Sequence, residues 1–184
     1  LLNLVSLPPS ETVIEPLPRL QRNGLIAVSS LALVSLIATF SLLVFLTHRF
    51  IFWRTYYRRP LSQNQYAVLI YNLALADLQQ GLGFIISLRW IATNSLHATD
   101  VSCFLQGIWL QIGDPMSGVF VLSIAVHTFL HIILNYQLPY RVFVAGIVAL
   151  WVLGVVMVII PIAVVGRYVW LPAVAWVSSP FFRF

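Results

Sequence analysis

Cysteine, lysine and acidic residues are what this sequence has least of. Cys103 is the only cysteine, which excludes a disulfide within the chain and a zinc site built from several thiolates. Lysine is absent, so these residues cannot form the Schiff base of a retinal-binding pump. Acidic residues number 5, and the sequence pairs no nucleophile with a base. We therefore expect neither an enzyme nor a metal site.

Charge of either sign is scarce, while hydrophobic residues are abundant. Charged residues make up 8% of the 184 residues and hydrophobic residues 60%. A soluble domain of this length needs a larger polar surface than this supply of charge covers, so lipid is the expected solvent for most side chains. The 10 basic residues are all arginines, and they punctuate apolar runs. This pattern is typical of membrane flanks, and we expect no nucleic acid partner.

Four apolar runs are long enough to cross a bilayer. A hydrocarbon core of about 30 Å needs about 20 residues of helix, whose backbone groups must be paired internally. The sequence therefore predicts an all-α, polytopic membrane bundle of four transmembrane helices, at 25–46, 66–88, 101–134 and 142–165. Prolines break the flanking segments, so we expect an irregular extracellular tail at 1–24 and an extracellular loop or truncated tail at 166–184.

Arginines and aromatic residues fill the short loop after the first span. Arg49, Arg54, Arg58 and Arg59 form the densest basic cluster of the chain, which predicts a cytoplasmic loop and an N-terminus outside. Anchoring at an anionic leaflet is the simplest role for this loop, and docking of a protein partner is the alternative. Because tryptophan prefers interfaces, Trp90 is expected at the outer membrane surface.

Several short motifs lie in order on the predicted helices. NLALADL at 72–78, Cys103 at the start of the third span, and Trp151 with Pro161 in the fourth together resemble the rhodopsin-like receptors. A narrower set is similar to the fungal glucose-sensing receptors and, next to them, the cyclic-AMP receptors of amoebae. This set consists of DLQQ at 77–80, CFLQG at 103–107, GDPMSG at 113–118 and HTF at 127–129.

This resemblance implies a seven-helix receptor of the plasma membrane, of which the chain contains the first four helices. Such a receptor detects a small extracellular ligand, such as a sugar, and signals through a heterotrimeric G protein towards cyclic AMP. A receptor oligomer is a further expected partner. The resemblance also implies an ion or switch site at Asp77, Ser117 and Asn72, where the ion is sodium or a proton. It implies that Cys103 is half of a disulfide whose partner is absent, because Val177 stands where the fungal group tends to have cysteine.

Two carboxylates lie deep in the predicted spans. Placing a charge at the bilayer centre costs at least ~2.5–3.5 kcal/mol, so Asp77 should face a polar interior, as a switch site or a structural hydrogen-bonded group. Asp114 precedes Pro115, which frees a backbone carbonyl. Asp114 is therefore a candidate for the ligand pocket, for the ion site of Asp77, or for satisfying that kinked backbone. The first span lacks the asparagine that rhodopsin-like receptors pair with this aspartate, and Ser35 or Thr39 is the candidate substitute.

The inner end of the third span carries histidines one helical turn apart. His127 and His131 share a helix face, without an acidic or thiol ligand nearby in the sequence. We take His127, Thr128, Arg58 and Arg59 as candidates for contact with the G protein, with helix packing as the alternative. The rhodopsin-like acidic-arginine-aromatic triplet is replaced here by histidine, threonine and phenylalanine, so the arginine lock of that family is not available.

A different class of function uses the same carboxylates. In a transporter or channel subunit, Asp77 and Asp114 line an ion or proton pathway. Such proteins usually show a helix repeat or broken helices, and neither is evident in this sequence. Membrane lipid is the expected surrounding in both readings, and no organic cofactor is expected. The identity of the ligand does not follow from the sequence.

Overall fold

Helices make up most of the described chain. The computed structural model describes residues 13–14, 16–17, 19–56, 63–97, 100–165, 171–173 and 176–178. In these ranges four helical segments are long and apolar enough to cross a membrane, which confirms the predicted all-helical membrane bundle.

The helices are bounded as follows. They are α1 (Arg19–Ile51), α2 (Trp53–Tyr56), α3 (Gln65–Ile85), α4 (Ser87–Thr93), α5 (Val101–Ile132) and α6 (Tyr140–Val165). The four candidate membrane spans are α1, α3 continued by α4, α5, and α6. Two pairs of very short antiparallel strands lie outside the spans, β1 (Val13–Ile14) with β2 (Leu96–His97), and β3 (Leu171–Ala173) with β4 (Trp176–Ser178).

The first and second spans extend well beyond the apolar runs that predicted them. Helix α1 begins at Arg19, directly after Pro18, whereas the sequence predicted a tail as far as residue 24. The second span passes a one-residue break at Ile86 and ends only at Asn94, whose φ of 52° is left-handed. A hydropathy window stops at the first arginine, but an arginine near the membrane surface does not stop a helix. Left-handed backbone at Asn94 does stop it.

Polar side chains cap the starts of two spans. The Asn64 Oδ1 atom accepts hydrogen bonds from the backbone N–H groups of Tyr66 and Ala67, at 3.1 and 3.3 Å. Asp100 Oδ1 accepts from the N–H of Ser102 at 3.1 Å. These bonds satisfy amides that the helix itself leaves unpaired, which accounts for the points at which α3 and α5 begin.

The most extensive helix–helix contact joins α3 and α5, and glycine permits it. A Cβ atom on Gly113 would lie 2.5 Å from the backbone nitrogen of Gln80. A Cβ on Gly83 would lie 2.9 Å from the Leu110 side chain. Small residues let membrane helices approach until their backbones touch. The second and third spans are therefore packed backbone to backbone near Gly113.

The core lies between α3, α5 and α6, and much of the remaining apolar surface is exposed. The buried cluster consists of Leu69, Ala76, Met116, Phe120 and Phe143. Large apolar side chains along α1 and α6 remain exposed, including Leu31, Val34, Val148 and Ile159. In a bilayer these faces contact lipid, so their exposure is compatible with a stable fold.

We expect Gly113→Ala to destabilise the bundle, because the added methyl group has no room against Gln80. Overpacking of this kind typically costs about 1–3 kcal/mol. Thermal unfolding of the protein in detergent should show a lower midpoint for this variant. Gly118→Ala is the matched control on the same helix, since a Cβ there meets nothing within 4 Å. Equal midpoints for the two variants would contradict the close approach of α3 and α5.

Candidate functional site

Asp77 and Ser117 meet across the contact between the second and third spans. Ser117 Oγ donates a hydrogen bond to Asp77 Oδ1, although 40 residues separate them in the sequence. Both side chains are half-buried in the middle of the bundle. The hydroxyl gives the membrane-embedded carboxylate a polar partner, which it requires at this depth.

A cavity opens beside Asp77, between α1 and α3. It has a volume of about 260 Å³, and Ser35 from the first span lines it. Ser35, not Thr39, is thus the first-span candidate that shares a cavity with the carboxylate. Gln80 and Gly81 also line this space. The cavity combines a carboxylate, an amide and a hydroxyl, which are the oxygen-bearing groups that a small hard cation prefers.

Asp114 is the second carboxylate in this part of the bundle. The side chain of Gln80, which lines the cavity beside Asp77, also lies near the Asp114 carboxylate. Unlike Asp77, Asp114 is exposed on the surface of the four-helix bundle. An exposed carboxylate at this depth is unfavourable in lipid, so we expect a polar group to cover this face of α5.

Asn72 lies apart from Asp77, although the sequence grouped the two. The two residues are five positions apart, which is about 140° around a helix. Asn72 Nδ2 donates to the Val68 carbonyl at 2.8 Å, and its Oδ1 accepts a 2.8 Å hydrogen bond from Trp151 Nε1. Asn72 therefore connects the second span to the fourth, while Asp77 connects it to the third.

The histidines lie in an aromatic cluster at one end of the bundle. His127 is buried, and its ring packs edge-on against Tyr66 with centroids 4.6 Å apart. Phe143 lies on another side at 5.9 Å, and His131 at 6.5 Å. The described residues contain no group of three or more His, Cys, Asp or Glu side chains that would hold a metal ion. His127 is thus packed between helices and is not presented to a partner.

The other three residues proposed for the G-protein side divide into two cases. Thr128 is half-buried, and its Oγ1 donates to the Ile124 carbonyl of its own helix at 2.7 Å. Arg58 and Arg59 lie outside the described residues. In the described part of their loop, Arg54 lies over the Trp53 ring, with the guanidinium carbon 5.6 Å from the ring centroid.

Cys103 is buried at the end of the bundle opposite to the His127 cluster. The thiol is free and the residue is 1% exposed, in a cluster with Leu17, Leu25 and Trp90. Leu17 belongs to the segment before α1, and its N–H donates to the Asn94 carbonyl at 3.3 Å. The segment that carries Leu17 thus packs against the thiol for which the resemblance implied a disulfide.

The side chain of Trp90, expected near the outer membrane surface, faces the protein interior and not lipid. Trp90 is 2% exposed, and its Nε1 donates to Gln106 Oε1 at 2.8 Å. Gln106 Nε2 in turn donates to Ser87 Oγ at 3.0 Å, and all three side chains are buried. Hydropathy places a tryptophan near a helix end, but the partner for its N–H decides whether it faces lipid or protein.

The sequence predicts no contact for three side chains within the spans, those of Gln80, Gln106 and Trp151. The signal that would have found them is a donor or acceptor group inside a predicted apolar span. A buried amide or indole N–H is expensive to leave unpaired, so such a residue indicates a cross-helix hydrogen bond. The identity of its partner depends on packing, which the sequence does not display.

The site is better suited to binding or transferring an ion or a proton within the membrane than to covalent catalysis. Asp77 is hydrogen-bonded to Ser117, and the side chain of Gln80, which lines the cavity beside Asp77, lies near Asp114. Membrane carboxylates in such polar surroundings bind a cation, exchange a proton, or change partners when helices move. Comparison with protein-family models, with curated proteins and with solved structures finds no match to this chain.

The reactivity of the Cys103 thiol measures how tightly its end of the bundle is packed. We expect Leu17→Ala to speed the reaction of Cys103 with a maleimide in detergent micelles, because Leu17 is 6% exposed and packs on the thiol cluster. Leu20→Ala is the matched control, since Leu20 is 84% exposed. The measurement is the labelling rate by intact-protein mass spectrometry. If both variants react at the rate of the unaltered protein, Leu17 does not cover the thiol.

Proposed function

We propose that this chain is the four-helix N-terminal part of a seven-helix receptor of the fungal glucose-sensing type. The receptor responds to a small extracellular ligand, such as a sugar, and signals through a heterotrimeric G protein towards cyclic AMP. It resides in the plasma membrane with its N-terminus outside. The observation that carries the proposal is the hydrogen bond between Ser117 and Asp77, the two residues that the resemblance assigns to one switch site.

The hydrogen bond between Asn72 and Trp151 supports the same proposal from different residues. Both positions belong to the motifs on which the resemblance rests, and they are joined at 2.8 Å across the second and fourth spans. The two bonds therefore hold the second span to both of the helices that follow it. A receptor needs such contacts between early helices to form a scaffold against which other helices move.

The exposed side chain of Asp114 is compatible with further helices that pack on this face. Its carboxylate lies on a face of α5 that the four described spans leave open, near the side chain of Gln80. In the proposed receptor the later helices cover this face and complete a ligand pocket around Asp114. The same proposal places a sodium ion near Asp77, where Ser117 contributes a hydroxyl and the adjoining cavity contains Ser35 and Gln80.

In the proposed receptor, the G protein docks at the end of the bundle that carries the arginine-rich loop. His127 is packed against Tyr66, and Thr128 donates to a carbonyl of its own helix. In the proposed receptor, Arg58 and Arg59 supply the contact with the G protein. The His127 cluster then acts as a support that holds the helix end in place.

A transporter or channel subunit is the second candidate, and the position of Gln80 favours it. This side chain lies near Asp114 and lines the cavity next to Asp77. Membrane carboxylates with polar side chains beside them are typical of ion and proton pathways. The two candidates therefore share residues and differ in what moves, ions in one and helices in the other.

Asp77→Asn separates the two candidates, because the amide keeps an oxygen to accept from Ser117 while the charge is lost. For a receptor, we expect the ligand-induced cyclic-AMP response of cells to lose its dependence on sodium. Proteoliposomes of the same variant should conduct ions no differently from the unaltered protein. Asp100→Asn is the matched control, since Asp100 lies at a helix start and is paired with Arg89 at 2.7 Å.

The opposite outcome is equally specific. If the unaltered protein carries ions and Asp77→Asn abolishes that flux while the cyclic-AMP response stays the same, the receptor proposal is wrong and the transport proposal replaces it.

A further inference from the structure

A second cavity lies on the lipid-facing side of the bundle, between α5 and α6. Its volume is about 330 Å³, and Leu69 of α3 contributes to its wall. Several lining side chains are themselves partly open to the surroundings, including Leu122 at 62% and Val142 at 56% exposure. The cavity is therefore a groove that is continuous with the surface that contacts lipid. We refer to it below as the α5–α6 groove.

The groove is long and narrow. On α5 its lining extends from Val119 to Leu130, which is about 16 Å at 1.5 Å per residue. On α6 it extends from Val142 to Leu150, about 12 Å. A space of this length with a volume of about 330 Å³ has the proportions of one hydrocarbon chain. A packed helix is much wider, since helix axes lie about 8–10 Å apart.

The absence of a side chain at Gly146 leaves part of this space open. Gly146 lines the groove, and a Cβ atom built on it would meet nothing within 4 Å. Its neighbours on the wall, Ile147 and Leu150, are large. A leucine at position 146 would extend into the same space, so the glycine preserves a channel that most residues would narrow.

The groove wall is apolar apart from two residues. Ser123 and His127 are the two polar residues on its wall. Ser123 Oγ donates to the Val119 carbonyl at 2.8 Å, and the His127 ring packs against Tyr66 and Phe143. A ligand with a hydroxyl that must be satisfied, such as a sterol, is therefore less suited to the groove than a plain hydrocarbon chain.

The face of α5 that carries Asp114 is a separate surface. Val119, at one end of the groove, is five positions from Asp114, which is about 140° around the helix. A polar partner that covers Asp114 can thus pack on the bundle while the groove stays open to the bilayer.

We propose that the α5–α6 groove is a binding site for one acyl chain of a membrane phospholipid. The chain lies along Val126, Val142 and Gly146, and its headgroup remains at the membrane surface. Dispersion contacts with the groove walls hold the acyl chain. The hydrophobic effect contributes little, because the acyl chain leaves other hydrocarbon and not water. The site is independent of the receptor proposal, because it requires only that α5 and α6 cross the membrane.

The test is photolabelling of the purified full chain in micelles with a phosphatidylcholine that carries a diazirine on one acyl chain. Labelled peptides are then mapped by mass spectrometry. For the unaltered protein we expect labels on residues 119–130 and 142–150. Gly146→Leu should lose them, because its side chain occupies the groove without a clash. Gly118→Leu, at an equally open glycine that does not line the groove, should keep them.

Val126→Phe fills the groove from the opposite wall and should also lose the labels, so the test does not depend on one variant folding. Equal labelling of the unaltered protein, Gly146→Leu and Val126→Phe would overturn the proposal. Labelling of these peptides by a photoreactive sterol but not by the phospholipid would overturn the choice of ligand. Cross-links between two copies of the chain at these residues, without lipid labelling, would show that the groove is a protein interface.

Discussion

The antiparallel register between the second and third spans is the constraint on which the rest of the structure depends. Each step forward along α3 and α4 is matched by one step back along α5. The contacts that follow this register are Tyr66 with His127, Asp77 with Ser117, Gln80 with Gly113, Gly83 with Leu110, and Ser87 with Gln106. Between the first and last pair both helices advance by 21 positions, from 66 to 87 and from 127 to 106. That is about 32 Å of helix, close to the thickness of a hydrocarbon core.

This register brings several polar residues of the membrane interior together in pairs. Once Gly113 is in contact with the backbone of Gln80, the carboxylate of Asp77 is brought opposite the Ser117 hydroxyl. The same alignment brings Gln106 opposite Ser87. A shift by one residue would turn each partner about 100° away around its helix and would leave polar groups unpaired in lipid. Close packing and hydrogen bonding therefore select the same arrangement.

The sequence predicted the existence of the spans much better than their contacts. Hydropathy is a sum over a window, so it located four membrane helices but ended the N-terminal tail at residue 24, although α1 begins at Arg19. It carries no information on how a helix is rotated about its axis, so it did not predict that the Trp90 side chain is buried. The resemblance grouped Asn72 with Asp77, and the structure adds that Asn72 is hydrogen-bonded to Trp151. The pairing of Asp77 with Ser117 came from resemblance, because no local pattern links residues 40 positions apart.

Glycine shows most clearly what the register adds to the sequence. Gly113 and Gly146 are both glycines within membrane helices, and by composition they are equivalent. The register places Gly113 against the backbone of a neighbouring helix, where a methyl group has no room. Gly146 instead faces an open groove, where a side chain would fill space that lipid otherwise occupies. The missing side chain brings two helices together in one case and keeps a space between two helices in the other. Such a difference follows from which residues lie opposite each glycine, and so it becomes visible only after the helices are assembled.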